Sequence, residues 1–450
     1  MRPSLLTAAL GALTAAALAL PLQSPAGAAP TPADAAPGST QSVPLEDLVA
    51  PAPRAGEPEP EPAPVPGTRV MPVKEVRPFS LLGVVWDDPN VQLRGQIQVR
   101  TRATGSHTWS GWQDVQSHND DLPDPDSAER RNSGVRGSTA PLWVGASDAV
   151  QLRIAPEAGD RVPESGGRDP ESGERAPAPV PGGLQLELVD PGAAPPAERG
   201  AAAELPPLGR AEAQAEAQKE AQGQDQGEAP KEAQGDPPAP DGQAAPPKAY
   251  IGPRPRIVTR AGWGADEKLR EPTAGYTGAV QAAFVHHTAT GNGYTCAEAP
   301  SAIRAIYRFH VKSSGWRDIG YNFLIDKCGV IYEGRSGGVA KAVLGAHTLG
   351  FNDDTTGIAV LGTFTEEEPA KASVEAVSAL TAWKLGLAGV DPRGTVRLTS
   401  AGSNLFKKGE TAQLHVISGH RDGFQSACPG DRLYDKLAAT RTAAAKLQGR

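Results

Sequence analysis

The stretch SGHRDGFQSACPG places His420 and Cys428 eight positions apart across a loop that contains glycine. Imidazole and thiolate are both good ligands for zinc, and the two can converge on one ion if the loop folds back. No local HExxH or paired CxxC pattern occurs, so a metal site must take its third ligand from a distant segment. FVHHTATGN, residues 284 to 292, supplies candidates in His286 and His287 at the end of an apolar run that reads as a β-strand. Neighbouring strand residues point to opposite faces, so only one of the two faces any given site. Two His and one Cys with a fourth position open to water is the arrangement of a catalytic zinc. Such an ion brings bound water near neutrality and polarises a carbonyl, and both effects serve amide hydrolysis.

The chain has eight histidines, and six of them fall in its last 195 or so residues. His107 and His118 lie upstream among polar loop residues and read as surface groups. His415 precedes His420 by five positions in one expected strand, so it should face away from the site.

The elements that must position these residues form an α/β pattern over 255–450. AVQAAFVHH is an expected strand. SAIRAIYRFHVKS is an expected helix, with Ile303, Ile306, Tyr307 and His310 at helical spacing. YNFLID and VIYEG make a hairpin around Lys327, Cys328 and Gly329, and TGIAVLGTF suits a buried central strand. SVEAVSALTAWKLGLAGVDP is a helix stopped by Gly389 and Pro392, QLHVISGH a further strand, and DRLYDKLAATRTAAAKL a closing helix. The expected architecture is a mixed β-sheet flanked by helices.

Upstream the composition changes. Residues 76–190 hold short runs that alternate at period two, such as VQLRGQIQVRTR and GLQLELVD, and read as a small β-sandwich-like domain. An acidic Gly- and Pro-rich insertion at 156–183 interrupts it as a surface loop. Trp86, Trp109, Trp112 and Trp143 are assigned to packing. Residues 29–75 form a Pro- and Ala-rich leader, and 191–254 a Glu-Ala-Gln spacer without an apolar stripe; both are expected to be disordered.

The chain carries 44 Pro, 51 Gly and 5% aromatic residues in 450, so much of it cannot bury enough apolar surface to fold. A net charge of −8 without a clustered basic face excludes a nucleic-acid protein. Arg2, the apolar run Leu5 to Leu20 and the small residues of PAGAA make residues 1–28 an export signal, cleaved after Ala28. No other segment is long enough to span a membrane. In an oxidising compartment Cys296 and Cys328, which flank one helix-and-strand unit, are the expected disulfide, leaving Cys428 for the metal.

FVHHTA, YRFHVKSSGWRDIGYNFLIDKCGVIYEGR, GAHTLGFNDDTTGIAVLGTF and GHRDGFQSACPGDRLY, in order over about 255 to 445, resemble the peptidoglycan recognition protein family. They equally resemble its relative, the phage T7-type N-acetylmuramoyl-L-alanine amidase. The resemblance implies the zinc amidase fold and a groove for peptidoglycan stem peptides. It also implies cleavage of the amide between N-acetylmuramic acid and L-alanine, with Zn2+ held by His286, His420 and Cys428. Members that bind without cutting replace that Cys, so Cys428 implies catalysis.

Tyr321 matches the family's catalytic tyrosine, whose phenol can hydrogen-bond the developing oxyanion. His310, His347 and Asn352 match groove positions, and His287 joins them as a substrate-binding candidate. Ser426, which stands where the T7-type enzyme has Lys, is the second catalytic candidate, and Gly337 stands where many recognition proteins have Trp. The implied protein is a secreted, cell-wall-associated, monomeric zinc amidase whose partner is peptidoglycan. It has no membrane association after signal cleavage. A peptidoglycan-binding protein with little or no catalysis is the alternative.

Overall fold

The computed structural model describes residues 38–46, 48–49, 67–117, 120–131, 134–161, 175–177, 180–194, 200, 202–224 and 250–450. The expected export signal at 1–28 lies outside them, as does His118.

In the run FSLLGVVW, residues 81–86 carry no charged or hydroxyl side chain because both of their faces are covered. It ends the Arg69–Trp86 strand, where Leu82, Val84 and Trp86 pack with Ile97, Val99 and Leu152 in the core of the all-β domain. Leu81 and Val85 turn the other way and share a second core with Ile303, Ile306 and Phe309 of the C-terminal domain. Gly83 lies between them; a Cβ there would stand 2.6 Å from the Phe309 ring, so only glycine permits this approach. Each fully buried aliphatic side chain across such a seam contributes roughly 1.5–3 kcal/mol.

The strands of the all-β domain are hydrogen-bonded into one antiparallel sheet around a single core. Their order is Ser39–Pro44, Gln185–Asp190, Arg69–Trp86, Leu142–Pro156, Gly95–Ala103, Gln113–Val115, and Gly137–Ser138 pairs with Arg69–Trp86. The sheet is continuous because Arg69–Trp86 and Leu142–Pro156 are long and pair on both edges. Ser39–Pro44 and the first residues of Arg69–Trp86 fall in the stretch expected to be a disordered leader. Pro72 and Pro78 hide that strand from sequence reading. Each lies where the pairing with Leu142–Pro156 shifts register, since proline offers no N–H to the ladder. The expected loop at 156–183 contains a short pairing of Ala158–Arg161 with Arg175–Pro177.

The C-terminal domain has the expected mixed sheet with helices on its faces. Its order is Glu204–Leu205, Ile257–Val258, Ile331–Glu333, Phe323–Ile325, Thr355–Val360, Ala282–His287, Ile417–Gly419. Helices Lys371–Gly386 and Leu437–Gln448 cover one face through Val377, Leu380, Trp383 and Ala444. Ala299–Arg308 covers the other through Ile303 and Ile306. The expected 191–254 spacer is partly folded. Arg210–Gln224 is a helix whose Ala213 and Ala217 join the core under Lys371–Gly386 and Leu437–Gln448, and Arg254 pairs with Glu216 at 2.6 Å. Two alanines one turn apart bury little area, so no stripe was visible in the sequence.

QLHVISGH divides in two. Thr411–His415 pairs with Thr395–Thr399 in a separate two-stranded sheet, and only Ile417–Gly419 joins the main one. His415 is exposed and lies in the two-stranded sheet, and the break at Val416 accounts for the five-residue interval.

Candidate metal centre

Register brings the distant ligands together. Ala282–His287 and Ile417–Gly419 run parallel with Val285 opposite Gly419, so the next residue on each, His286 and His420, emerges at the same sheet edge. Ligand sites form at the carboxyl ends of such strands. The two rings lie 4.6 Å apart and both are fully buried. The loop after His420 then folds back: Arg421 N–H donates to Cys428 O at 3.1 Å, and Ser426 Oγ accepts from Cys428 N–H at 3.0 Å. Cys428 Sγ thereby comes 3.7 Å from His286 Nδ1, and one donor atom from each of His286, His420 and Cys428 lies within 4.8 Å of the others. Two imidazoles and a thiol, buried and converging, fit a zinc ion.

A hydrogen-bond relay behind His286 fixes which nitrogen faces this cluster. Thr355 Oγ1 donates to Phe351 O at 2.7 Å, so toward His347 Nε2, 3.3 Å away, it accepts. Burial, reinforced by His286, holds His347 well below the usual histidine range, and it carries a single N–H. Its Nδ1 therefore accepts from Thr348 Oγ1 at 3.0 Å, and Thr348 Oγ1 accepts from His286 Nε2–H at 3.4 Å. The lone pair of His286 is left on Nδ1, which points to Cys428. Outer partners of this kind orient a ligating imidazole and raise its basicity.

A segment of the all-β domain completes the enclosure. Asp121, 5% exposed, sets Oδ1 3.3 Å from His286 Nδ1 and 3.1 Å from His420 Nδ1, and its Oδ2 accepts from the Tyr321 phenol at 2.6 Å. Asp120 Oδ2 lies 3.9 Å from His420 Nε2. Burial opposes charge on His420, but Asp121 outweighs it and pushes the imidazole up to about 10. Nothing in the sequence pointed to Asp121, which sits in DDLPDPDS, a stretch without periodicity.

Residues 276–431 match a family described as N-acetylmuramoyl-L-alanine amidase, and residues 28–181 one described as Rv3811 N-terminal galactose-binding domain-like. Peptidoglycan recognition protein 1 of Bos indicus is 31% identical over 184 residues, covering 40% of this chain and 80% of that protein. The chain belongs to the peptidoglycan recognition protein family. Human N-acetylmuramoyl-L-alanine amidase is 30% identical over 200 residues, covering 42% of this chain and 29% of that one. Among solved structures, Drosophila PGRP-LB is 26% identical, with 41% of this chain and 92% of that one covered at a TM-score of 0.33.

For this member of the family the other expected site residues divide. Tyr321 lies beside the cluster, its ring 5.5 Å from His286; burial, then Asp121, hold its phenol well above the usual range, so it remains a donor. His310 sits in the π-helical turn Phe309–Ser313, where its Nδ1 accepts from Gly320 N–H at 3.1 Å and its ring stacks on Trp316 at 4.3 Å. Burial pushes it down to about 3, so it is neutral. Asn352 is a scaffold: Oδ1 accepts from His347 and Thr348 N–H, and Nδ2 donates to Leu122 O at 2.8 Å and Asp124 Oδ1 at 2.9 Å.

His287 does not stand with the groove residues. It faces the opposite side of its strand from His286, where Nδ1 accepts from Phe364 N–H at 3.3 Å and its backbone N–H donates to Cys428 Sγ at 3.4 Å. Strand alternation already required this separation. Ser426 Oγ turns into its own loop toward Cys428 N–H. Cys296 and Cys328 are joined, tying the entry to Ala299–Arg308 to the hairpin loop. Trp109 and Trp112 lie under the Arg100 and Arg153 guanidinium groups, with Arg153 4.3 Å from Trp112.

Proposed function

We propose that the protein is an exported, zinc-dependent N-acetylmuramoyl-L-alanine amidase that hydrolyses peptidoglycan. The observation that carries this reading is the convergence of His286, His420 and Cys428 next to the Tyr321 phenol. His286 through Nδ1, His420 and Cys428 would hold the zinc, with Ser426 positioning Cys428. A zinc ion so held supplies Lewis acidity for carbonyl polarisation and for activating water near neutral pH.

The chain's own groups supply the rest. Tyr321 donates its O–H toward the oxygen of the attacked lactyl carbonyl, stabilising charge as it develops. The Thr348, His347 and Thr355 relay keeps His286 in the ligating tautomer. Hydrolysis adds the hydroxyl of water to the lactyl carbon, breaks the C–N bond and delivers the proton to the departing alanine amine. Family membership and the amidase match at 276–431 support the substrate class. Among the described residues no helix is long and apolar enough to cross a membrane.

The test is metal content with activity. Wild-type protein should hold one zinc per chain and release stem peptides from purified walls, and His420→Ala should lose both. Full activity in His420→Ala would defeat the reading.

A further inference from the structure

We propose that Asp121 is a fourth ligand of the zinc site, so that the all-β domain closes the hydrolytic centre of its own chain by occupying the substrate's place. The inference rests on the zinc reading above.

The distances have the form expected of ligands around one ion. Ligands about 2.0–2.3 Å from a tetrahedral zinc stand roughly 3.3–3.5 Å from one another. Three of the six ligand-to-ligand edges lie within about 0.2 Å of that range: Asp121 Oδ1 is 3.3 Å from His286 Nδ1 and 3.1 Å from His420 Nδ1, and His286 Nδ1 is 3.7 Å from Cys428 Sγ. Carboxylate oxygen is a normal zinc donor.

The second oxygen carries the argument from ligation to closure. Oδ2 accepts the Tyr321 phenol O–H at 2.6 Å. One carboxylate therefore takes both the open position beside the three ligands and the donor meant for the oxyanion. An amide carbon under attack also presents two oxygens, and a carboxylate is its nearest stable mimic among side chains.

The segment that delivers Asp121 is built to stay. Leu122 fills an apolar pocket with Trp316 and Ala346. Asp120 O accepts from Leu349 N–H at 3.0 Å, and Asp124 accepts from Gly350 and Asn352 N–H. Glu129 meets Arg335 in a two-point ion pair at 2.8 and 2.9 Å, both side chains 7% exposed. A stem peptide can reach Tyr321 only when this segment withdraws.

The experiment compares full-length wild type with Asp121→Asn, both zinc-loaded, by zinc content, by the rate at which 1,10-phenanthroline removes zinc, and by hydrolysis of a soluble muropeptide. Asp121→Asn keeps the shape but removes the charge; Glu129→Gln, which loosens the segment from its far end, is the second variant. The proposal predicts one zinc per chain in all three. It also predicts roughly ten- to hundredfold faster removal in Asp121→Asn, the range for losing a group that supports a metal site. Turnover should rise at least about tenfold, and Glu129→Gln should move the same way. Equal removal rates at equal zinc content would overturn the Asp121 assignment and leave the amidase reading standing. Loss of turnover with zinc retained would also overturn it, making Asp121 part of the chemistry. Absence of zinc from every variant would defeat both.

Discussion

Val285 and Gly419 face each other across two parallel strands, and that single register sets His286 beside His420 although more than a hundred residues separate them. The candidate ligand set is thus a property of the sheet, with only Cys428 delivered by a loop. Cys428→Ala should therefore fold normally yet lose zinc affinity by at least about 100-fold, the upper end of what losing a supporting partner costs. Competition titration against a chromogenic chelator, with circular dichroism as the fold control, measures this.

The relay behind His286 makes a separate prediction. Thr348→Val removes the hydroxyl that joins His286 Nε2 to His347 Nδ1. Its shape is nearly unchanged, so the packing should survive. Zinc affinity is expected to fall about 10-fold, within the range for outer partners of a ligating imidazole.

Asp124 should make stability depend on pH. Burial, with a smaller push from Asp353, raises its carboxyl from 3.8 to about 6. Between those values the folded chain binds more protons than the unfolded one, so stability falls as pH rises. The contribution is complete below about pH 4 and is lost as pH passes about 6, a change on the order of 3 kcal/mol. Melting wild type and Asp124→Asn side by side from pH 4 to 7 isolates it: the gap between them should change across this window, and a constant gap would count against the assignment.

Removing one member of the Glu129–Arg335 pair leaves a charge buried. Glu129→Ala should cost about 3–5 kcal/mol in urea denaturation, and the double variant Glu129→Leu with Arg335→Met should recover much of that loss. Recovery distinguishes an uncompensated charge from lost packing.

Reduction of the Cys296–Cys328 bond releases a 32-residue loop. The chain-entropy relation gives a loss of about 3–4 kcal/mol. The Cys296→Ala, Cys328→Ala double variant should show that loss in denaturant while still binding zinc.

What was legible in the sequence follows from how each feature is encoded. His286, His420 and Cys428 stand in recognisable motifs, the two histidines at strand ends and Cys428 in a loop, and every residue of the strands Ala282–His287 and Thr355–Val360 is buried. Other elements left no such trace. Ser39–Pro44 buries little beyond Val43, the start of Arg69–Trp86 is broken by Pro72 and Pro78, and Arg210–Gln224 docks through alanines. Adjacency to His286 suggests a groove role for His287, but alternation sends its side chain to the other face. Asp121 was invisible for a different reason. Its meaning lies wholly in a contact between two domains, and one sequence does not encode which loop meets which site.

The central claim is tested most directly by mass spectrometry of muropeptides digested with the zinc-loaded full-length chain and with Asp121→Asn, each with and without chelator. The account predicts intact glycan carrying a free lactyl carboxylate and stem peptides with a new L-alanine amine. These products should be suppressed by chelator and more abundant with Asp121→Asn. Stoichiometric zinc and bound stem peptide with no such products from either protein would contradict it and leave a peptidoglycan-binding protein that does not cut.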